Sequence, residues 1–438
     1  MIIIPRVLTF VTVIVLACDA GAAAEVLRLT IEDAVHRAVG SNLELKASRK
    51  DLDLAQANQR RSNTWLPSNP YFSIGASGLA EGGGRGGSAG ASSARPNLFA
   101  YLSQEIEIAG QRALRQDAAR YGVDRELAGI RQAEVTLAAT VKSAFVRALI
   151  NRERQSAARR ASDLTAEILR RTIAGTTLST STDRMDRNNA RIQHLRFQRS
   201  AAAVEQSYQD GLDVLRRLLD VPFDEDIEPV GSPRVDLPPL PPLATLVDSA
   251  FRQRPDLQAF ERAKKGAEAQ VSVIRRERIP NITLSGSYSR FDSDDFAGGD
   301  LGMQLPLFQT RDADLIEAAA ERDRAAIQEK DLYREVEREV REMRGAYELA
   351  SADLATYRDT ILPLAEENVE LNRRLLVKDE VNEVDVINQQ LEALGVRREY
   401  LDVLERANIA LFELERAIGG PLDAVGSVTP TASPTPLP

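Results

Sequence analysis

The sequence predicts an α+β fold, mostly α, built as two similar halves that each carry a pair of strands between long helices. Three observations predict it. Asp312–Lys378 reads as an almost unbroken helix, with Gly345 its only glycine and Pro363 its only proline. Tyr71–Leu79 and Asn281–Ser289 switch to strict alternation of apolar and polar residues, the period of a strand. The order of these changes in period then occurs twice along the chain.

The long helix sets the scale. At about 1.5 Å per residue it would run roughly 100 Å, beyond what a globular core requires. From Val336 its apolar positions are Val336, Val340, Met343, Tyr347, Ala350, Leu354, Tyr357 and Ile361. That four-three spacing is the seam of a coiled coil.

The first 24 residues have the form of a secretory signal: Arg6, an apolar Val7–Ala17, and Ala22-Ala23-Ala24 as a small-residue cleavage site before Glu25. The only cysteine, Cys18, lies inside this segment. Val15-Leu16-Ala17-Cys18 is a loose lipoprotein box, so lipidation of Cys18 is the alternative, and Asp19 weighs against it. Cleavage after Ala24 leaves a chain without thiols and without a disulfide framework. No later stretch approaches the roughly 20 apolar residues of a membrane-spanning helix. An exported chain of this kind is periplasmic, secreted or an outer-membrane β-barrel.

The first half, 25–221, begins with a predicted helix over Thr30–Arg61, with Thr30 as N-cap and Asp33 completing a capping box. Strand Tyr71–Leu79, a Gly/Ser-rich loop Ala80–Ala94 and a second strand Asn97–Ile108 follow. A long helix is predicted from Gln111 to Arg171, a break at Gly175–Thr182, and a helix from Asp183 to Leu219. Residues 222–242 read as a proline-rich linker, 243–420 as the second half and 421–438 as a flexible tail.

In the second half Ala38, Leu45 and Ala55 recur as Ala250, Leu257 and Ala267 at one constant offset. Ser103, Ile106, Ile108 and Arg112 recur as Gly302, Leu305, Leu307 and Arg311 at a smaller one, because the loop predicted at Asp292–Gly298 is shorter than its counterpart. Each half supplies two strands of a length that suits a tilted transmembrane strand. Trp65, Tyr71, Phe72, Phe99, Tyr101, Tyr288, Phe291, Phe296 and Phe308 lie in or beside them, as interfacial girdles would. Four strands cannot close a barrel in lipid, so such a protein must be an oligomer; two copies give eight strands and three give twelve. The competing reading is a soluble sheet packed on helices.

Composition narrows the function. A net charge of −9 argues against nucleic-acid binding. No nucleophile motif stands out, so the chain is expected not to be an enzyme and to need no cofactor. His36 and His194 lie apart in polar helices and read as surface residues, and with so few soft ligands no metal site is expected.

Four segments resemble the TolC family of outer-membrane efflux proteins. Arg254-Pro255-Asp256-Leu257, within the repeat helices, is one. Gln104–Arg112, "QEIEIAGQR", resembles the strand-to-helix junction of the CzcC-like heavy-metal branch. Ile361-Leu362-Pro363-Leu364 is similar to the family's proline-bearing helix, and Val384-Asp385-Val386-Ile387 to the segment after its second periplasmic turn. The resemblance implies a homotrimer with a twelve-stranded barrel and an α-helical periplasmic tunnel. It implies a passive duct docking through a periplasmic adaptor onto an inner-membrane pump, commonly of the resistance-nodulation-division class.

The resemblance also places Asp385 on the first acidic position of a periplasmic gate, where three like charges can select cations. Asn388, one turn on, takes the second position, usually an aspartate, so this chain carries one ring rather than two, with Glu380 and Glu383 able to compensate. The family's turn glycine aligns with Asp379 and its following arginine with Val381, which removes charged links that latch some relatives. Gly175, Thr176, Leu178 and Ser179 on one turn, and Asp379, Val381 and Asn382 on the other, are the expected adaptor-docking tips. The bland alternatives are an ordinary solvated Asp385 and plain interhelical turns. A soluble periplasmic scaffold or adaptor is the rival class; drug, metal and protein cargo are not separated by the sequence.

Overall fold

The computed structural model describes residues 26–79, 95–175, 180–291, 294–308, 310–378 and 380–425. The signal segment with Cys18, the Gly/Ser-rich stretch Ala80–Ala94 and the C-terminal tail lie outside them.

Thr30 caps the first helix as predicted, its hydroxyl accepting from the Asp33 amide while the Asp33 carboxylate accepts from the Thr30 amide. The expected single helix over Thr30–Arg61 is two, α1 (Ile31–Ser41) and α2 (Leu43–Ser62). Asn42 divides them. Its side-chain oxygen accepts from the Glu44 and Leu45 amides, offering the backbone a cap in place of a continued helix.

The remaining helices are α3 (Gln111–Gly175), α4 (Ser181–Leu219), α5 (Leu243–Gln253), α6 (Pro255–Glu277), α7 (Asp312–Thr356), α8 (Leu362–Val377), α9 (Glu383–Ile418) and the short α10 (Leu422–Val425). At 65 residues α3 is about 100 Å long. Its first part packs between α2 and α6, with α7 beyond α6; its last part packs between α4 and α9, with α8 beyond α9. Four helices therefore lie side by side at each level, and α3 runs through both.

The run Asp312–Lys378 is continuous but not uniform. Between α7 and α8 a π-turn spans Tyr357–Ile361, where the Leu362 amide bonds the Tyr357 carbonyl five residues back. Pro363 is the cause: it has no N–H to give, and its ring crowds the carbonyl four residues earlier, so the backbone loosens by one residue instead. Above the turn the predicted seam faces inward. Val336, Val340, Tyr347 and Leu354 are buried against Leu401, Leu404 and Leu411 of α9 and Leu246 and Ala250 of α5, with Met343, Ala350 and Tyr357 flanking them. Each such burial contributes about 1.5–3 kcal/mol. A second cluster joins Ala34 and Ala38 of α1, Val141, Phe145 and Leu149 of α3, and Leu215 and Leu219 of α4.

Among the described residues six strands form two sheets. β1 (Leu27–Leu29) and β4 (Ile227–Pro229) pair in parallel, so the proline-rich segment 222–242 contains a strand that the sequence did not signal. The larger sheet has order β2-β3-β5-β6, all antiparallel: β2 (Tyr71–Leu79), β3 (Arg95–Ile106), β5 (Ile282–Phe291) and β6 (Asp294–Met303). The predicted loop Asp292–Gly298 is a correction, because β6 begins at Asp294. Its Asp and Gly residues have weak strand preference, yet the ladder to β5, from Phe291↔Asp294 to Ile282↔Met303, holds them extended.

The registers sort most side chains into an apolar and a polar face, with Gln104, Arg290 and Asp295 also on the first and Phe99, Phe291 and Phe296 also on the second. Cross-strand partners share a face. One face carries Phe72 and Ile74; Leu98, Ala100 and Leu102; Ile282, Leu284 and Tyr288; and Ala297, Leu301 and Met303. Most of these side chains are exposed, Ile74 at 73% and Leu301 at 70%, while Ala100 and Ile282 are half-buried. The other face carries Ser73, Tyr101, Ser103, Thr283, Ser285, Ser287, Ser289 and Asp300. On it Ser285 donates to the Asp300 carboxylate at 2.7 Å, and the Phe99 ring covers Gly75 so closely that any Cβ there would collide with it. β2 and β6 are the free edges.

Candidate functional site

Two helical hairpin turns lie at the end of the molecule remote from the large sheet. The first joins α3 to α4. Gly175 closes α3 and is exposed; Thr176, Leu178 and Ser179 fall outside the described residues. Thr180 then caps α4, its hydroxyl accepting from the Asp183 amide at 3.0 Å.

The second turn joins α8 to α9. α8 ends at Val377, which is 87% exposed. The Lys378 and Glu380 amides both bond the Leu375 carbonyl, each at 3.1 Å, and so close the helix; Asp379 is outside the described residues. Asn382 starts α9 with a second capping box: its side chain accepts from the Asp385 amide at 2.9 Å, and the Asp385 carboxylate accepts from the Asn382 amide at 3.1 Å. The two turns thus use one device, Thr180 with Asp183 and Asn382 with Asp385. The signal is visible in the sequence at both turns, a cap residue with an acid three positions on.

An apolar knot holds the turns together. Ile168 of α3, Ala190 of α4 and Ile387 of α9 are buried against one another, with Leu164, Leu169, Val384 and Leu391 packed around them. Arg171 of α3 adds an ion pair to Glu383 of α9. Gly175, Asn382, Glu383 and Asp385 therefore share one end. Asp385 is exposed and its carboxylate serves the cap. Asn388 and Glu380 are exposed, and Val381 is half-buried. His36 is exposed, but His194 corrects the surface reading: it is half-buried, with Nδ1 3.4 Å from the hydroxyl of the fully buried Thr165.

Arg254, in the Arg254–Leu257 segment, ties α5 and α6 to the core. It is 5% exposed and donates to Asp256, Glu339 and the Ala417 carbonyl. Burial opposes its charge, but the hydrogen bonds to Asp256 and Glu339 outweigh that and raise its pKa. Gly419, at φ +80°, ends α9 with its Cα against the Arg254 backbone, where a Cβ would lie 3.1 Å from the Arg254 nitrogen.

Where sheet meets helices, a polar cavity of about 770 Å³ is lined by Glu105, Glu107, Arg115, Glu277 and Arg311. The Arg115–Glu107 pair, 2.5 Å apart, is its least exposed ion pair. Among the described residues no cluster of three or more His, Cys, Asp or Glu side chains is arranged to hold a metal, and no helix is long and apolar enough to cross a membrane.

Residues 246–420 match the family described as outer membrane efflux protein. Along 402 residues the chain is 26% identical to the cobalt-zinc-cadmium resistance protein CzcC of Cupriavidus metallidurans, covering 89% of this chain and 90% of that protein. The fold matches the open state of the Neisseria gonorrhoeae MtrE outer membrane channel with a TM-score of 0.72 at 19% identity, over 90% of this chain and 89% of that one. It matches the outer membrane protein VceC of Vibrio cholerae with a TM-score of 0.69 at 16% identity, over 89% and 96%.

Proposed function

We propose, for a chain that belongs to the outer membrane efflux protein family, the assembly and gating of the duct it forms. The protein is an outer-membrane efflux channel of a tripartite system, and it conducts passively rather than catalysing a reaction. Three copies join through the free edges of β2 and β6 into a twelve-stranded barrel, continued by a periplasmic tunnel of helices. The observation that carries this reading is the large sheet: one face is mostly apolar on all four strands, interrupted by Gln104 and the Arg290–Asp295 pair, the opposite face is rich in serines, and both edges are unpaired. Apolar surface of that extent fits lipid. Open edges in lipid require neighbouring strands. The recurrence of two helices, a strand pair, a long helix and a returning helix along the chain supports a duplicated architecture.

The hairpin turns at Gly175–Thr180 and Val377–Asn382 are the docking tips for a periplasmic adaptor, which links the duct to an inner-membrane pump of the resistance-nodulation-division type. Asp385, brought to the same end, forms the gate ring, with Asn388, Glu380 and Glu383 beside it. The likeness to CzcC supports divalent heavy-metal cations as cargo. Selectivity among metals then belongs to the pump.

Detergent extraction of outer membranes tests the reading. A trimer that dissociates on heating and conducts ions in planar bilayers is expected. A monodisperse soluble monomer overturns it.

A further inference from the structure

The segment from Arg234 to Pro242 crosses the outside of α7 and α9 and is fixed at four points, one each on α7, the π-turn, α9 and α10. The Arg234 amide donates to Asn408 of α9 at 3.0 Å, and the Asn408 side chain donates back to the Arg234 carbonyl at 2.9 Å, so a fully buried asparagine grips the segment as a strand neighbour would. The Arg234 guanidinium pairs with Asp423 of α10 at 3.2 Å. Tyr347 of α7 donates its hydroxyl to the Pro238 carbonyl, and burial pushes its pKa up to about 12. Asp236 pairs with Arg358 at 3.0 Å.

Arg358 is the anchor in the weakest part of the wall. It lies inside the π-turn Tyr357–Ile361, the one interruption of the α7–α8 run. Within one chain, α7 above the turn buries Val336, Val340, Tyr347 and Leu354, and α8 below it buries Ala365 alone. The thinly packed arm therefore begins where the segment lets go. The anchor is also built to release. Arg358 already bonds Asp359, its own neighbour, through two nitrogens at 2.7 and 2.9 Å, so leaving Asp236 strands no charge. Asp236 is 97% exposed and gains little from the pair. The prolines at 238, 239, 241 and 242 make the segment stiff.

We propose that residues 234–242 are a strap that clamps the tunnel wall across its π-turn, and that release of Arg358 from Asp236 frees α8 to swing about Tyr357–Ile361. The strap thereby sets the balance between narrow and wide states of the duct. This rests on the channel reading above.

Single-channel recording in planar bilayers tests it. Asp236→Ala, at a side chain in open solvent, is expected to raise the fraction of time in the larger conductance level by up to about fivefold. Asp236→Ala combined with Arg358→Ala should add nothing further. Pro363→Ala, which restores the helical hydrogen bond and removes the cause of the π-turn, should shift the balance the other way. Unchanged dwell fractions in Asp236→Ala and Pro363→Ala, in channels of normal conductance, would overturn the strap and leave the channel standing. Wild-type protein without any conductance would overturn both.

Discussion

Asp385 holds two roles that substitution can separate. In the structure its carboxylate accepts from the Asn382 amide and closes a capping box at the start of α9. At a trimer axis it would also present one of three negative charges. Asp385→Asn keeps an acceptor oxygen at the cap and removes the charge. Asp385→Ala removes both, at about 1 kcal/mol for the cap. For a divalent ion roughly 8 Å from each of three carboxylates, Coulomb attraction in a water-like medium is about 3 kcal/mol, falling to about 1 kcal/mol over one Debye length at physiological salt. The concentration of Mg2+ that half-blocks the current should then rise roughly 5- to 100-fold in both variants, and the shift should shrink at high salt. Thermal dissociation of the trimer separates the cap, since Asp385→Asn should lie nearer wild type than Asp385→Ala. A half-blocking concentration unchanged in Asp385→Asn would refute the ring and leave the carboxylate as a cap alone.

Three other outcomes follow from the geometry. Leu102→Arg, on the apolar face of a central strand, should cost about 2–4 kcal/mol in lipid and abolish the trimer band on a gel of unheated samples, whereas Ser287→Lys on the opposite face should keep it. Arg254→Ala should destabilise by about 3–5 kcal/mol, towards the lower end because Arg416 still pairs with Glu339 at 2.8 Å; the midpoint of thermal unfolding checks it. Gly419→Ala, forced into a left-handed conformation with its Cβ against Arg254, should lower the same midpoint by an amount corresponding to about 1–2 kcal/mol.

Periodicity made most of the fold legible. The alternation of Tyr71–Leu79 located β2, and the four-three spacing from Val336 identified the buried side of α7, because both patterns record which side chains must leave water. What escaped depended on partners distant in sequence. β6 looks like a loop, since Asp294, Asp295, Gly298 and Gly299 say nothing of the ladder that β5 imposes. β4 is three residues whose only reason to be extended is β1, far upstream. Pro363 stands out in the sequence, but the defect it causes begins about a turn earlier, because proline disturbs the carbonyl before it rather than the residue after. At the remote end Asp385 was singled out from its motif, while its tie to Asn382 and the contact of Glu383 with Arg171 needed the hairpins side by side.

The register of the large sheet also orders the events of folding. β3 and β5 meet through pairs such as Ala100 with Tyr288, and the whole of α3 to α6 intervenes. Closing so long a segment carries an entropic cost that the local contacts of helical hairpins avoid, so the helices form first and the sheet last. A newly exported chain therefore passes through a stage with its helices paired and its strands bare. Those strands are the least soluble part of the protein, and at that stage edge-to-edge aggregation competes with insertion into the membrane.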